Sequence, residues 1–214
     1  MINKTNYLNP IFFIIFLLGM ISCGDSVSES KKEQMNDLMN RAEKAKNGGK
    51  YNDPFDYHQA IVGLQTEIGR QMLTQENEDQ IEKLRETIIN NKKALEKLSF
   101  SDDDYGFKSS ILDLFSFYLS LADHEYPEIF EISVQMEKNE NDEDLLVALY
   151  TRYMEIMSKI EKEELQLTKA MEFAQNKFAK KYNMTIGENP LQDQVDEANE
   201  ELEELRDFET MINN

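Results

Sequence analysis

Cys23 is the only cysteine in the chain. A lone thiol can act as a nucleophile, ligate a metal or accept an acyl group, but it cannot close an intramolecular disulfide. Its surroundings favour acylation. An unbroken apolar run, Ile11 to Ile21, precedes it, Lys4 lies ahead of that run, and small residues, Ser22 and Gly24, flank the cysteine. The run is too short to span a hydrocarbon core, which takes roughly 20 residues of helix. It has the length of the apolar segment of a secretory signal.

Met20-Ile21-Ser22-Cys23 resembles a lipobox, the signal read by lipoprotein-processing enzymes, with Met where Leu is usual. Acyl transfer needs the thiol as acceptor, and the peptidase needs small residues before it. Residues 1–22 are therefore expected to be a lipoprotein signal peptide, and Cys23 the lipid-bearing first residue of the mature chain. An ordinary signal with an incidental cysteine and a short uncleaved anchor are the alternatives. Two or more acyl chains hold a membrane stably, each buried methylene contributing about 0.8 kcal/mol. Gly24, where Asp would call for inner-membrane retention in Gram-negative lipoproteins, points to the outer membrane.

No other residues assemble into a reactive set. His58 and His124 both lack the Glu three residues earlier that a di-iron bundle requires; Phe55 and Leu121 stand there. They are expected at opposite ends of the bundle. Asp102-Asp103-Asp104-Tyr105-Gly106 fails as a calcium loop, because aligning Gly106 with the loop glycine puts Leu112 where the bidentate Glu belongs. That run, like Asn141-Asp142-Glu143-Asp144, reads as an N-capping cluster. The sequence has no Gly-x-Ser-x-Gly, P-loop, Gly-x-Gly-x-x-Gly or His-Glu-x-x-His motif. No catalytic residue, metal or cofactor is expected.

The 214 residues carry 23 Lys and Arg against 42 Asp and Glu, a net charge of −19. Loss of residues 1–22 removes only Lys4, leaving 22 − 42 = −20. Such a surface repels nucleic-acid phosphates and anionic headgroups, so neither is an expected ligand of the folded part. A basic partner, divalent cations or plain solubility remain compatible with it.

The elements follow from composition and period. Trp is absent, Gly (8) and Pro (4) are few, and helix formers abound. The expected class is all-α: an elongated antiparallel bundle of about four to five helices, 51–214, on an N-terminal tether, 23–50. The tether is expected to be partly helical between about 30 and 46, with Gly48-Gly49 as a hinge. Asp53-Pro54 starts a helix with Tyr57, Ile61, Leu64, Ile68 and Met72 on one face, in which Gly63 and Gly69 permit close approach. Asn77 caps a second, whose seam Ile81, Leu84, Ile88, Asn91, Leu95, Leu98 holds one polar member able to set register. A turn over 99–104 leads to a third helix from Phe107, kinked or restarted at Pro127, with Phe115 and Phe117 in the core. A long helix over about 142–182 carries Tyr150, Tyr153 and Phe178, and Glu163 and Glu164 interrupt its apolar stripe. It is expected to run antiparallel to 103–138. Asn189-Pro190 starts a last, acidic helix with Leu191, Val195, Ala198, Leu202 and Leu205, folded back along the long one.

Two stretches carry a family resemblance. Tyr57-His58-Gln59-Ala60-Ile61-Val62-Gly63-Leu64-Gln65-Thr66-Glu67-Ile68 and Ala174-Gln175-Asn176-Lys177-Phe178-Ala179-Lys180-Lys181-Tyr182-Asn183 are similar to segments of a family of bacterial surface lipoproteins first named from Leptospira and common in Bacteroidetes. The family has Tyr-Asn-Asp where Tyr57-His58-Gln59 stands here. The resemblance spans about 51–183, implies a helical lipoprotein and brings no activity. The expected function is a non-catalytic envelope lipoprotein with a binding or structural role, attached to the membrane through acyl chains on Cys23 and meeting a protein partner. The alternative is an acidic immunity-type inhibitor that neutralises a basic toxin enzyme at the envelope.

Overall fold

Asp53 extends its carboxylate back to the Asp56 N–H, 2.9 Å away, and Pro54 follows as the first helical residue. The helix these residues start, α2 (Pro54–Met72), ends at Leu73 in the computed structural model, which describes residues 29–73 and 78–187. Next comes α3 (Glu78–Lys97); the expected cap, Asn77, lies outside the described residues. Every member of the α3 seam from Ile81 to Leu98 is buried. Asn91, its polar member, donates from Nδ2 to the Leu64 carbonyl and to Glu67 Oε2, each at 2.9 Å. Sliding α3 by one turn would strand these groups, which is how one buried amide sets register.

The helix expected over about 30–46 is present, but its role as a tether requires correction. Over 29–45 it is a packed helix, α1 (Glu29–Ala45), with Leu38, Ala42 and Ala45 buried against the bundle. The bundle thus begins at α1 rather than at residue 51; residues 23–28 lie outside the described residues. The reason is Gly63. A Cβ there would sit 2.5 Å from the Leu38 carbonyl oxygen and 3.0 Å from the Ala42 nitrogen. Small residues on both helices let the backbones touch, so a stripe with little side-chain area still docks. Arg41–Asp56 (3.1 Å) and Lys46–Glu67 (2.8 Å) tie the edges of the contact. Gly63→Val is expected to push α1 off α2 and cost about 2–3 kcal/mol, since backbone cannot yield as a flexible side chain does. Urea unfolding measures the loss, and hydrogen exchange should rise first over 29–45. Unchanged protection there would contradict this packing.

The Gly-Gly hinge is also built into the fold. Gly48 (φ 72°) and Gly49 (φ 157°) turn the chain into β1 (Gly49–Tyr51). It pairs in parallel with β2 (Leu98–Phe100), with Tyr51 opposite Phe100. The expected turn at 99–100 is therefore the end of a strand. The ribbon closes one end of an otherwise all-α bundle.

The long antiparallel pair is present. The third helix is two, α4 (Phe107–Asp123) and α5 (Glu125–Lys138), and the partner is α6 (Glu143–Lys181), about 58 Å long at 1.5 Å per residue. Phe107 lies on Phe178, Tyr118 on Glu164, Glu125 on Lys159 and Glu128 on Arg152, an antiparallel ladder. The break falls at His124 (φ −132°, ψ −66°), and Pro127 sits in the first turn of α5, where its missing N–H is harmless. Asp142 caps α6 by accepting from the Leu145 N–H. With α2 and α3, this pair forms the four-helix half of the bundle. The expected last helix lies outside the described residues.

Candidate functional site

The stripe of α6 that faces the core is apolar except at Glu164, Thr168 and Gln175, all buried. Spacings of four and seven put the three on one face. Each meets a different situation, and together they form the interior polar row of the bundle.

Glu164 is 2% exposed. Its Oε1 accepts from the Tyr118 hydroxyl at 2.9 Å, and no basic side chain is bridged to it among the described residues. Burial raises its carboxyl to about 7, against the pull of the Tyr118 hydrogen bond. The Tyr118 and Tyr126 hydroxyls are pushed far above the ordinary phenol value by burial and then by the same carboxylate. One turn on, Thr168 Oγ1 is buried without a partner. On the sequence, Glu163-Glu164 reads as a weak point in the stripe; the fold exposes Glu163 and inserts Glu164.

At the ribbon end, His58 of α2 meets Gln175 of α6, Nε2 to Nε2 at 2.8 Å. An amide nitrogen only donates, so the imidazole Nε2 accepts and the ring proton sits on Nδ1. That Nδ1 is buried and unpartnered. Phe107 stacks on the ring at 5.3 Å, and Phe178 lies near-parallel to it at 6.4 Å. Burial lowers the imidazole to about 4, so it stays neutral. His124 marks the α4–α5 break, at the other end of α4. The two histidines are apart, as expected.

The stretches 57–68 and 174–183 meet here. Tyr57 and His58 from one pack on Gln175 and Phe178 from the other, with Phe100 of β2 stacked on Tyr57 at 4.9 Å. The aspartate run lies at this end. Asp104 accepts from the Tyr57 hydroxyl, and its carboxylate also takes the Gly106 and Lys108 N–H groups. Asp102 accepts from the Tyr182 hydroxyl. The expected capping cluster needs correction: the cap of α4 is Gly106, without a side-chain cap, and only Asp104 reaches a first-turn N–H, that of Lys108, while Asp103 accepts from the Tyr105 N–H in the turn. Phe115, Phe117, Tyr153 and Phe178 are core residues, and Tyr150 packs beside Tyr153.

Chemically this row can hold and shift protons, but it is sealed. A raised carboxyl and a neutral imidazole are the usual raw material of acid–base catalysis. Here both groups are buried, Glu164 between α4 and α6 and His58 on α2 against α6, and no nucleophile lies in hydrogen-bond reach of His58 among the described residues. Among those residues no group of three His, Cys, Asp or Glu could hold a metal ion, and no helix is long and apolar enough to cross a membrane. Cys23, the expected acyl acceptor, lies outside them. The chain matches no protein-family model, no curated protein sequence and no solved structure.

Proposed function

We propose that the protein is a non-catalytic lipoprotein of the bacterial cell envelope, held at the outer membrane by acyl chains on Cys23, with its helical bundle in a binding or structural role. The observation that carries this reading is Met20-Ile21-Ser22-Cys23 at the end of the apolar run. The sealed polar row supports the non-catalytic half, because its titratable groups serve packing. The α1 packing sharpens the geometry. Only 24–28 separate Cys23 from Glu29, so the bundle would sit close to the lipid surface.

Fractionation of native cells, followed by affinity capture from the detergent-solubilised envelope, tests the proposal. The protein should stay with outer membranes through high salt and be released by detergent, with a protein partner retained. Recovery in a soluble fraction would defeat the anchor. Turnover of an envelope substrate by the purified chain would defeat the non-catalytic role.

The net charge of −19 keeps a second reading in view, an immunity-type inhibitor of a basic toxin enzyme. Its association should slow steeply as salt rises, because long-range steering is screened. Salt-insensitive capture of the partner would exclude it.

A further inference from the structure

The solvent face of α6 runs against the charge of the chain. Lys159, Lys162, Lys169, Phe173, Lys177 and Lys180 recur at spacings of three, four and seven, so they share one strip, and all are exposed. Phe173 is 72% exposed, the most of any large apolar side chain described. Lys159 bridges to Glu125, and Lys177 lies over the Tyr105 ring at 5.2 Å. Lys162, Lys169 and Lys180 have no carboxylate partner among the described residues. A five-lysine strip around a bare aromatic, on a chain of net charge −19, is a surface shaped for an acidic, apolar-striped segment.

We propose that this strip is the docking site of the chain's own C-terminal segment, 188–214. That segment holds ten Asp and Glu against Arg206 alone, a net charge of −9. Its Leu191, Val195, Ala198, Leu202 and Leu205 follow at helical spacing. The described chain ends in a reversal at the end of α6. Asn183 takes a left-handed conformation (φ 52°), and the Met184 N–H donates to the Ala179 carbonyl at 2.9 Å, closing the helix with a reversing cap. Met184 packs against the core and the Tyr182 hydroxyl bonds Asp102, so this reversal is pinned.

Length agrees with charge. From 191 to 214, a helix covers about 36 Å at 1.5 Å per residue, enough to run back along α6 from Lys181 to about residue 157, the reach of the strip. The lysine stems lie under the apolar stripe while their ammonium groups reach out to the flanking carboxylates.

The chain has no Trp, so Phe173→Trp makes a single reporter. The full chain, acylated and held in zwitterionic phosphatidylcholine vesicles, is probed by acrylamide quenching. The indole should be shielded in the intact chain. The shielding should be lost when the chain stops after Gly187, and lost equally in Lys162→Glu/Lys169→Glu/Lys180→Glu, with helicity by circular dichroism retained. Should the shortened chain lose its fold, the triple-lysine variant decides alone. An intact chain as quenchable as the shortened one overturns the proposal. So does shielding that survives removal of 188–214, which would place the vesicle surface or a second copy on the strip.

Discussion

Cys23→Ser is expected to abolish lipid attachment altogether while leaving the bundle folded. The thiolate is the acceptor in acyl transfer, and a serine hydroxyl, with its far higher pKa, does not replace it. Without the diacylglycerol group the lipoprotein peptidase lacks its substrate, so the precursor should also keep residues 1–22. Metabolic labelling with a fatty-acid probe reads the first effect, and gel mobility of the precursor reads the second. Cys23 precedes Glu29, the first residue of α1, by six positions, and no described core residue precedes Leu38. Thermal unfolding of the variant should therefore match wild type. Wild-type protein without label, or a variant labelled to the same level, would end the lipoprotein reading. The loss of anchoring is all-or-none because each buried methylene contributes about 0.8 kcal/mol, and a pair of acyl chains carries many of them.

The two buried titratable groups should produce opposite pH slopes, each exposed by removing the other. The Glu164 carboxyl is raised from 4.5 to about 7 in the fold. The folded state therefore keeps its proton where the unfolded chain has released it. Its contribution to stability is complete below pH 4.5 and falls as pH rises through 7. A shift of this size corresponds to about 3 kcal/mol. His58 is lowered from 6.5 to about 4, so the unfolded chain binds the proton first on acidification. Its contribution is complete above pH 6.5 and is lost as pH falls through 4, again by about 3 kcal/mol. Over pH 4–7 the two slopes oppose each other, and the wild-type profile should be shallow there. Glu164→Gln should leave the His58 slope, with stability rising toward pH 7, and should gain roughly 2–3 kcal/mol at pH 8, less the cost of the extra amide donor. His58→Gln should leave the Glu164 slope, with stability falling toward pH 7. Urea midpoints at pH 4.5, 6 and 8 measure both. Slopes of the same sign in the two variants would contradict the burial that shifts the groups.

The helices were legible because period and capping are local. Asp53-Pro54 starts α2 and Asp142 starts α6, and both do so through a side chain three residues from the N–H it caps. The seams of α3 and α6 repeat over four to ten turns, long enough for one odd residue not to hide them. Asn91 was legible too, as the polar member of its seam. The proposal for Cys23 rests wholly on the sequence, since a processing signal of that kind would be read in the unfolded chain.

What the sequence by itself determined is thus the all-α class and the antiparallel pair 103–138 against 142–182. Tertiary structure alone decided the rest. It made α1 part of the bundle, because a close backbone approach at Gly63 depends on what lies opposite and leaves little apolar signal in α1 itself. It formed the β1–β2 ribbon, whose partners stand about 50 residues apart and pair through backbone groups that every sequence shares. It chose Glu164 over Glu163 for the interior: the two are neighbours on a helix, 100° apart, and only the position of Tyr118 on α4 makes one of them the buried acid.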